Sequence, residues 1–294
     1  MMNIDIISVF PEYFNMLNLS LLGKAQDKGL LNIKAYNLRD WTHDVHQSVD
    51  DTPVGGGAGM VMKPEVWSEC LDELLGLNDS SSKITNENSN STSSKITNEN
   101  FTNTSIKENN YPILIFPNPC APLFNQVDAT ELSRANHLIF GCGRYEGYDA
   151  RIPDYYKSCG IDVREYSIGD YVLNGGEVAV SVMVEAITRL MPGFMGNPES
   201  IVEESYTGDD ALLEHRQYTR PTTWRGLSVP EVLTSGNHAK VDRFRRDEAL
   251  ERTDAIRPDL IEKLDCTSLD KADRKTLINL GWEVSGKHPR KLNN

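Results

Sequence analysis

Cysteine is scarce in this chain of 294 residues. The five present (Cys70, Cys120, Cys142, Cys159 and Cys266) are odd in number and include no Cys-x-x-Cys pair. That argues against a disulfide framework or a cysteine zinc site, and for a reducing compartment. Long apolar runs are also missing: none approaches the ~20 residues of a membrane span. The start, Met-Met-Asn-Ile-Asp, lacks the basic stretch and apolar block of a secretory signal. The expected location is therefore the cytoplasm, with no membrane partner. Positive charge is in deficit as well, with 30 Lys and Arg against 43 Asp and Glu, a net −13. Charge of that sign does not by itself suggest a nucleic-acid partner. The deficit is uneven, however. Ala211 to Asn294 holds 16 basic and 13 acidic residues, a net +3, which leaves −16 on the first 210.

What is present has the rhythm of an α/β protein. Asn3–Phe10 reads as a buried strand ended by Pro11, and Glu12–Lys28 has helical spacing up to Gly29. Leu31–Asn37 alternates as a second strand. A polar, glycine-rich loop follows over Asn37–Gly59, then a helix over Lys63–Leu77. Residues 78–110 are almost all Ser, Thr, Asn, Lys and Glu, and Ser-Ser-Lys-Ile-Thr-Asn-Glu-Asn at 81–88 recurs at 93–100. With so few apolar groups the segment cannot bury a core, and it reads as a disordered surface insertion. Strands at Tyr111–Phe116, His137–Phe140 and Asp162–Ser167 then alternate with helices at Asn125–Ala135 and Asp149–Tyr156. Alternation of this kind implies a mostly parallel sheet. An amphipathic run follows from Val178 to Leu190. The reading divides the chain into an α/β domain over 1–195, a linker over 196–210, and a small all-α domain over 211–294 with helices at Pro230–Ser235, Asn237–Thr253, Pro258–Leu264 and Ser268–Leu280.

The most informative stretch is Ser167-Ile-Gly-Asp-Tyr-Val-Leu-Asn-Gly-Gly-Glu177. Its glycines allow positive φ and close approach of the backbone to a ligand. Ile168, Val172 and Leu173 between them are apolar. Such a turn suits a flat, neutral ring such as adenine, with backbone groups at the ring edge and aliphatic groups on its faces. Three more motifs sit in loops: Phe116-Pro-Asn-Pro-Cys-Ala-Pro122, Gly141-Cys-Gly-Arg-Tyr-Glu-Gly147 and Asp50-Asp-Thr-Pro-Val-Gly-Gly-Gly-Ala-Gly59. In an open parallel sheet, loops after the strands are where ligands bind. The glycine spacing at 141–147 is one residue too long for a dinucleotide fingerprint, and Gly55–Gly59 has no Gly-Lys-Ser/Thr, so neither is a nucleotide loop. His43-Asp-Val-His46 offers too few ligands for a metal site and suits a structural or RNA-contact role better.

Taken in order, several strings resemble one family. They are Phe10-Pro-Glu-x-Phe14, Arg39-Asp-x-Thr-His-Asp44, Val49-Asp-Asp-x-Pro-x-Gly-Gly-Gly-x-Gly-Met60, Gly143-Arg-Tyr-Glu-Gly147, Ser167-Ile-Gly-Asp-Tyr-Val-Leu173, Tyr218-Thr-Arg-Pro221 and Val229-Pro-x-Val-Leu-x-Ser-Gly-Asn-His238. They look like the bacterial tRNA (guanine-N1)-methyltransferases, the TrmD family, across nearly the whole chain outside 78–110. The resemblance implies a trefoil-knotted sheet domain of the SPOUT class, an exception to unknotted topology. It implies methyl transfer from S-adenosylmethionine to N1 of guanosine at position 37 of tRNA, by a homodimer that needs Mg²⁺. Each target base would lie between one subunit's knot and the other's C-terminal domain.

Carried over by motif, the donor pocket would comprise Pro117, Asn118, Pro119, Gly143, Ile168, Gly169, Asp170, Tyr171, Val172 and Leu173, with the methionine tail near Gly175 and Gly176. The family's general base is an aspartate directly before Ser-Phe. Here Glu204 precedes Ser205-Tyr206, with Glu203 as a second candidate. Arg189 matches an arginine that neutralises the developing oxyanion, and Glu146 matches a glutamate near the metal. Asp170 and Glu177 are candidate electrostatic partners of the sulfonium. The expected RNA contacts are Arg216, Arg220, Arg225, His238, Lys240, Arg243, Arg245 and Arg246. The Mg²⁺ ligands are not assigned. Two neighbouring readings share these features: a related knotted methyltransferase acting on another nucleotide, and an RNA-binding relative weakened by the change of base.

Overall fold

The computed structural model describes residues 1–77, 111–197, 204–208 and 210–292. The insertion at 78–110 and the candidate base Glu203 lie outside the described residues. The chain forms two compact units, Met1–Met195 and Gly196–Asn294.

The first unit is built on a five-stranded parallel sheet. Its strands are β1 (Met2–Ser8), β2 (Leu31–Asn37), β5 (Ile113–Pro117), β6 (His137–Gly141) and β7 (Val163–Tyr166), in the order β2-β1-β6-β5-β7. Side chains alternate across it. Ile4, Ile6, Ile115, Leu138 and Phe140 face one core with α1 (Ser20–Asp27), α3 (Gln126–Leu132) and α5 (Gly176–Thr188). Ile7, Leu114, Phe116 and Ile139 face the other, with α2 (Pro64–Leu74) and α4 (Arg151–Ser158). Helices on both faces are the usual way to cover a parallel sheet whose strands are apolar on both sides. The chain steps from β5 to its neighbour β6, then crosses back so that β7 pairs with the far side of β5. Reversals of this kind open a crevice at the carboxyl ends of the strands. β3 (Asp50–Asp51) and β4 (Val61–Met62) form a small antiparallel ribbon that brackets the Gly55–Gly59 loop.

The single helix expected over Glu12–Lys28 is two. A 3-10 helix spans Pro11–Asn18, Leu19 is extended (φ −102°, ψ 164°), and α1 starts afresh at Ser20. The carbonyl stranded at the break is satisfied by Gln26, whose side-chain amide donates to Leu17 O at 2.9 Å.

The second unit holds α6 (His238–Ile256), α7 (Pro258–Ile261) and α8 (Lys271–Asn279) around Leu212, Leu250, Ile261, Leu264, Leu277 and Trp282. It is not purely helical. β8 (Thr223–Trp224) pairs with β9 (Leu227–Ser228), and β10 (Trp282–Glu283) with β11 (Arg290–Lys291). The expected helix at Pro230–Ser235 is a short 3-10 turn over Glu231–Thr234.

Candidate active site

Three loops leave the carboxyl ends of β5, β6 and β7 and are stitched together by backbone hydrogen bonds. Asn118 N donates to Tyr166 O (2.9 Å), Ser167 N to Pro122 O (2.9 Å), Phe124 N to Ser167 O (2.8 Å) and Gly176 N to Gly143 O (2.9 Å). Between them lies a cavity of about 480 Å³. That volume falls in the range of small-molecule and cofactor pockets. Pro117, Asn118 and Pro119 line it from the first loop, Gly143 and Glu146 from the second, and Ile168, Tyr171, Val172, Leu173, Gly175 and Gly176 from the third. Gly169 and Asp170 belong to the third loop but do not line the cavity. Gly169 has the turn role instead. Its φ of +149° lets Tyr171 fold back and donate from its hydroxyl to Ile168 O at 3.0 Å.

The glycines at the helix start are required by space. A Cβ on Gly176 would lie 3.0 Å from Cys142 Cα, and one on Gly175 would lie 2.5 Å from Arg144 Nε. Gly59, at φ +86°, leaves room for the Glu146 side chain to lie over it. That is the use of the fourth glycine-rich motif. Its flank Met60–Met62 supports the second loop, with Glu146 N donating to Met60 O at 3.0 Å and Met62 N to Gly147 O at 2.9 Å.

Two carboxylates organise this region: Glu165, which the sequence reading left aside, and Glu177, which it placed elsewhere. Glu165, at the end of β7, lines the cavity and accepts from Tyr148 Oη (2.9 Å), Asn118 Nδ2 (3.0 Å) and Lys157 Nζ (3.3 Å). It thereby joins all three loop systems. Burial pushes its pKa up, but the three donors outweigh burial and hold it below the usual carboxylate range. Burial, and then Glu165 itself, push the Tyr148 phenol well above its ordinary value, so it stays a donor. Glu177, expected near the sulfonium, is turned away from the cavity. It is 1% exposed, accepts from Ser8 Oγ at 2.7 Å, and receives Arg144 Nε, which stands 3.0 Å from each of its oxygens. The Arg144 guanidinium also lies over the rings of Phe10 (4.7 Å) and Tyr13 (5.4 Å). Desolvation favours loss of its proton, but the hydrogen bonds and charges of Glu177 and Tyr13 together outweigh it and raise its pKa. Glu177 is in the first turn of α5, where the helix dipole also favours an anion.

The other candidates lie elsewhere. Arg189 caps the carboxyl end of α5, while Gly176 at the cavity begins it. At 1.5 Å per residue the two backbones are about 20 Å apart. Glu204 belongs to the second unit, half-buried in a turn tied down by Glu214 N to Ser205 Oγ (3.0 Å) and Tyr206 N to Leu212 O (2.9 Å). Among the expected RNA contacts, Arg220, Arg225, His238 and Lys240 are exposed. Arg216 is exposed but paired to Glu248. Arg243 and Arg246 are committed internally. Both hold the nearly buried Asp273 (2.8 and 3.0 Å), and Arg246 also holds Asp210. Arg245 is half-buried. His43 is exposed and pairs with Glu69 at 2.7 Å. Among the described residues no group of three His, Cys, Asp or Glu could hold a metal ion, and no helix is long and apolar enough to cross a membrane.

A family model described as tRNA (Guanine-1)-methyltransferase TrmD matches residues 2–105 and 94–263. The chain belongs to the TrmD family. Its relatives agree across their whole length. A Bifidobacterium longum protein named tRNA (guanine-N(1)-)-methyltransferase is 73% identical over 291 residues, covering 99% of each chain. A protein of that name from Bifidobacterium adolescentis is 70% identical over 304 residues (98% of this chain, 99% of the relative). One from Kineococcus radiotolerans is 46% identical over 286 residues (97% and 93%).

Proposed function

We propose that this chain methylates N1 of guanosine at position 37 of tRNA, beside the anticodon, with S-adenosylmethionine as donor. The observation that carries the reading is the cavity at the carboxyl ends of β5, β6 and β7 in a chain of this family. Its apolar side chains and loop backbone groups suit a neutral purine, and the hydrogen bonds among the three loops support a trefoil knot around it. The adenine would sit against Ile168, Val172 and Leu173, and the methionine tail near Gly175 and Gly176.

Guanine N1 carries a proton and is a poor nucleophile. A carboxylate must take that proton as N1 attacks the methyl carbon. The new bond is N1–CH3, the bond broken is S–CH3, and its electron pair returns to sulfur, which leaves S-adenosylhomocysteine. Glu204 is assigned as the base and Arg189 as the cation that offsets charge on the guanine oxygen. Arg189 and the donor cavity stand at opposite ends of α5, so one copy cannot bring Arg189 to its own donor. This supports a homodimer in which a second copy supplies Arg189 and Glu204. Glutamate in place of aspartate adds one methylene, and a shift of about an ångström in a catalytic group can cost ~10²-fold in rate.

Mg²⁺ binds readily through one or two carboxylates with water filling the remaining positions. Glu146, exposed at the cavity, is the residue we assign to it, and no step above passes through the ion. The location proposed is the cytoplasm, where tRNA is found and the free thiols of Cys120 and Cys159 stay reduced.

The test is transfer of a tritiated methyl group to a tRNA transcript with guanosine at position 37, against the same transcript with adenosine there. Label on the first alone is the expected result. Equal label on both would refute the assignment, and Glu204→Gln with an unchanged rate at saturating substrates would remove Glu204 as base. Binding of the donor without turnover on either transcript would favour the weakened relative.

A further inference from the structure

The ribbon β8–β9 places a tryptophan in water. Thr223–Trp224 and Leu227–Ser228 pair antiparallel, with Trp224 opposite Leu227. The two linking residues both have positive φ, Arg225 at +51° and Gly226 at +79°. That is the two-residue turn whose twist matches a tight hairpin. Thr223 and Ser228 close the base of the ribbon through their hydroxyls at 3.1 Å. Trp224 and Leu227 share the other face, and they are 58% and 71% exposed. Trp67 and Trp282 are buried and Trp41 is half-buried, so Trp224 is the chain's exposed tryptophan. The Arg225 guanidinium lies over its ring at 4.8 Å, which covers one face and steadies the plane.

A large indole left in water forgoes the stabilisation that burial would give it, and such residues dominate contact surfaces. The charge around this one selects the partner. Arg225 sits in the ribbon's turn and Arg220 shortly before its first strand, His238 and Lys240 are exposed in the same unit, and Ala211–Asn294 is the net-positive part of an acidic chain. A ring backed by a guanidinium in a net-positive unit suits an unpaired base, stacked on the ring while its phosphates meet the cations. We propose that the Trp224–Leu227 face is a base-stacking platform that grips an unpaired nucleotide of the tRNA substrate, with Arg225 completing the stack. The inference rests on the tRNA reading above and adds to it a contact that is indifferent to base identity.

The test uses the full-length protein, an unmodified tRNA transcript and S-adenosylmethionine. Intrinsic fluorescence followed during titration with tRNA should be quenched in the wild type, and the quench should largely vanish in Trp224→Phe. Because phenylalanine still offers a π face, that variant should keep tRNA affinity within about 3-fold, whereas Trp224→Ala should lose about 5- to 150-fold, the range expected for one base–aromatic stack. Stacking carries no net charge. The deficit of Trp224→Ala should therefore persist between 50 and 200 mM salt, while that of Arg220→Ala should shrink as screening rises.

Donor binding should be unaltered in both Trp224 variants, and since the side chain is exposed their melting temperatures should match the wild type, so misfolding is excluded directly. Unchanged tRNA affinity in Trp224→Ala, or a quench that survives in Trp224→Phe, would overturn the proposal. So would a Trp224→Ala protein that binds tRNA normally but changes its sedimentation, because the face would then be a contact between copies. Failure of the wild type itself to bind tRNA would instead refute the functional reading on which the proposal stands.

Discussion

Replacing Glu177 by glutamine tests whether the donor loops are held by a buried ion pair. The carboxylate is 1% exposed and serves two donors, Ser8 Oγ at 2.7 Å and Arg144 Nε at 3.0 Å. Because Arg144 Nε is 3.0 Å from both oxygens, an amide turned either way puts an N–H against the guanidinium. Removing one partner of a buried pair costs about 3–5 kcal/mol. Here the lower end applies, since the Arg144 side chain is 15% exposed and keeps Phe10 and Tyr13 beneath it. Cation–π contacts of this kind are worth ~0.5–2 kcal/mol. The expected loss is therefore about 2–3 kcal/mol. In a unit of this size that lowers the melting temperature by roughly 5–10 °C.

The same change should weaken donor binding without touching a donor contact. Arg144 forms a backbone bridge with Gly175, and Gly143 O receives Gly176 N, so a loosened Arg144 loosens the cavity wall at the methionine end. The measurement is thermal unfolding of the wild type, Glu177→Gln, Arg144→Met and the double variant, with titration calorimetry of S-adenosylmethionine on each. The double variant should recover part of the loss, because two neutral groups no longer leave a charge unpaired. A coupling energy under about 0.5 kcal/mol, the noise of independent sites, would show that the pair does not act as a unit and would refute the reasoning.

Glu165 should make stability fall in acid. Its folded pKa is depressed by Asn118, Tyr148 and Lys157, so its contribution is complete above the unfolded value of about 4.3 and is lost as pH falls through the lower folded value; Glu165→Gln should be less stable at pH 7 and lose less stability than the wild type on acidification, read by thermal unfolding. Gly141→Ala should lose about 1–3 kcal/mol in chemical denaturation, because its Cβ would meet the Phe116 ring at 2.3 Å. Asp273→Ala should destabilise the second unit by ~2 kcal/mol, because Arg243 and Arg246 each lose one carboxylate while keeping Asp247 and Asp210, read from the fluorescence of buried Trp282 in urea.

The parallel sheet was legible because its central strands, β5 (ILIFP) and β6 (HLIFG) above all, are short apolar runs between turn residues, while the edge strand β2 (LNIKAYN) shows alternation. The cavity was legible for a related reason: glycines next to apolar residues after a strand have few uses. What escaped the sequence has no period. The break at Leu19 is one extended residue inside a helical spacing, and β8 and β9 are two residues each, too short for alternation to register. Glu165 and the buried pairing of Glu177 escaped because their partners are distant in the chain. Ser8 meets Glu177 across 169 positions, and Asn118 meets Glu165 across 47. One faint signal existed. Glu177 is a lone acid at the head of a helix that is otherwise apolar through Val184 apart from Ser181, and a charge in that setting must find a buried partner.

The same helix fixes the logic of the site. α5 begins at the proposed donor cavity with Gly176 and is capped at its far end by Arg189. Its face toward the sheet, Val180, Met183, Val184 and Ile187, is buried, while Val178 and Val182 stand about half exposed on the other side. A helix that is apolar almost all round needs cover on both faces, and in one copy it has cover on one. Seating a second copy on the Val178–Val182 side would bury that remaining apolar surface. It would also carry an Arg189 toward the partner's proposed donor cavity, so the burial that stabilises the pair and the placement of the proposed catalytic cation would be a single requirement. Val182→Lys should therefore abolish dimers in sedimentation and methyl transfer together while leaving donor binding to the isolated subunit intact, and an active monomer would break the link.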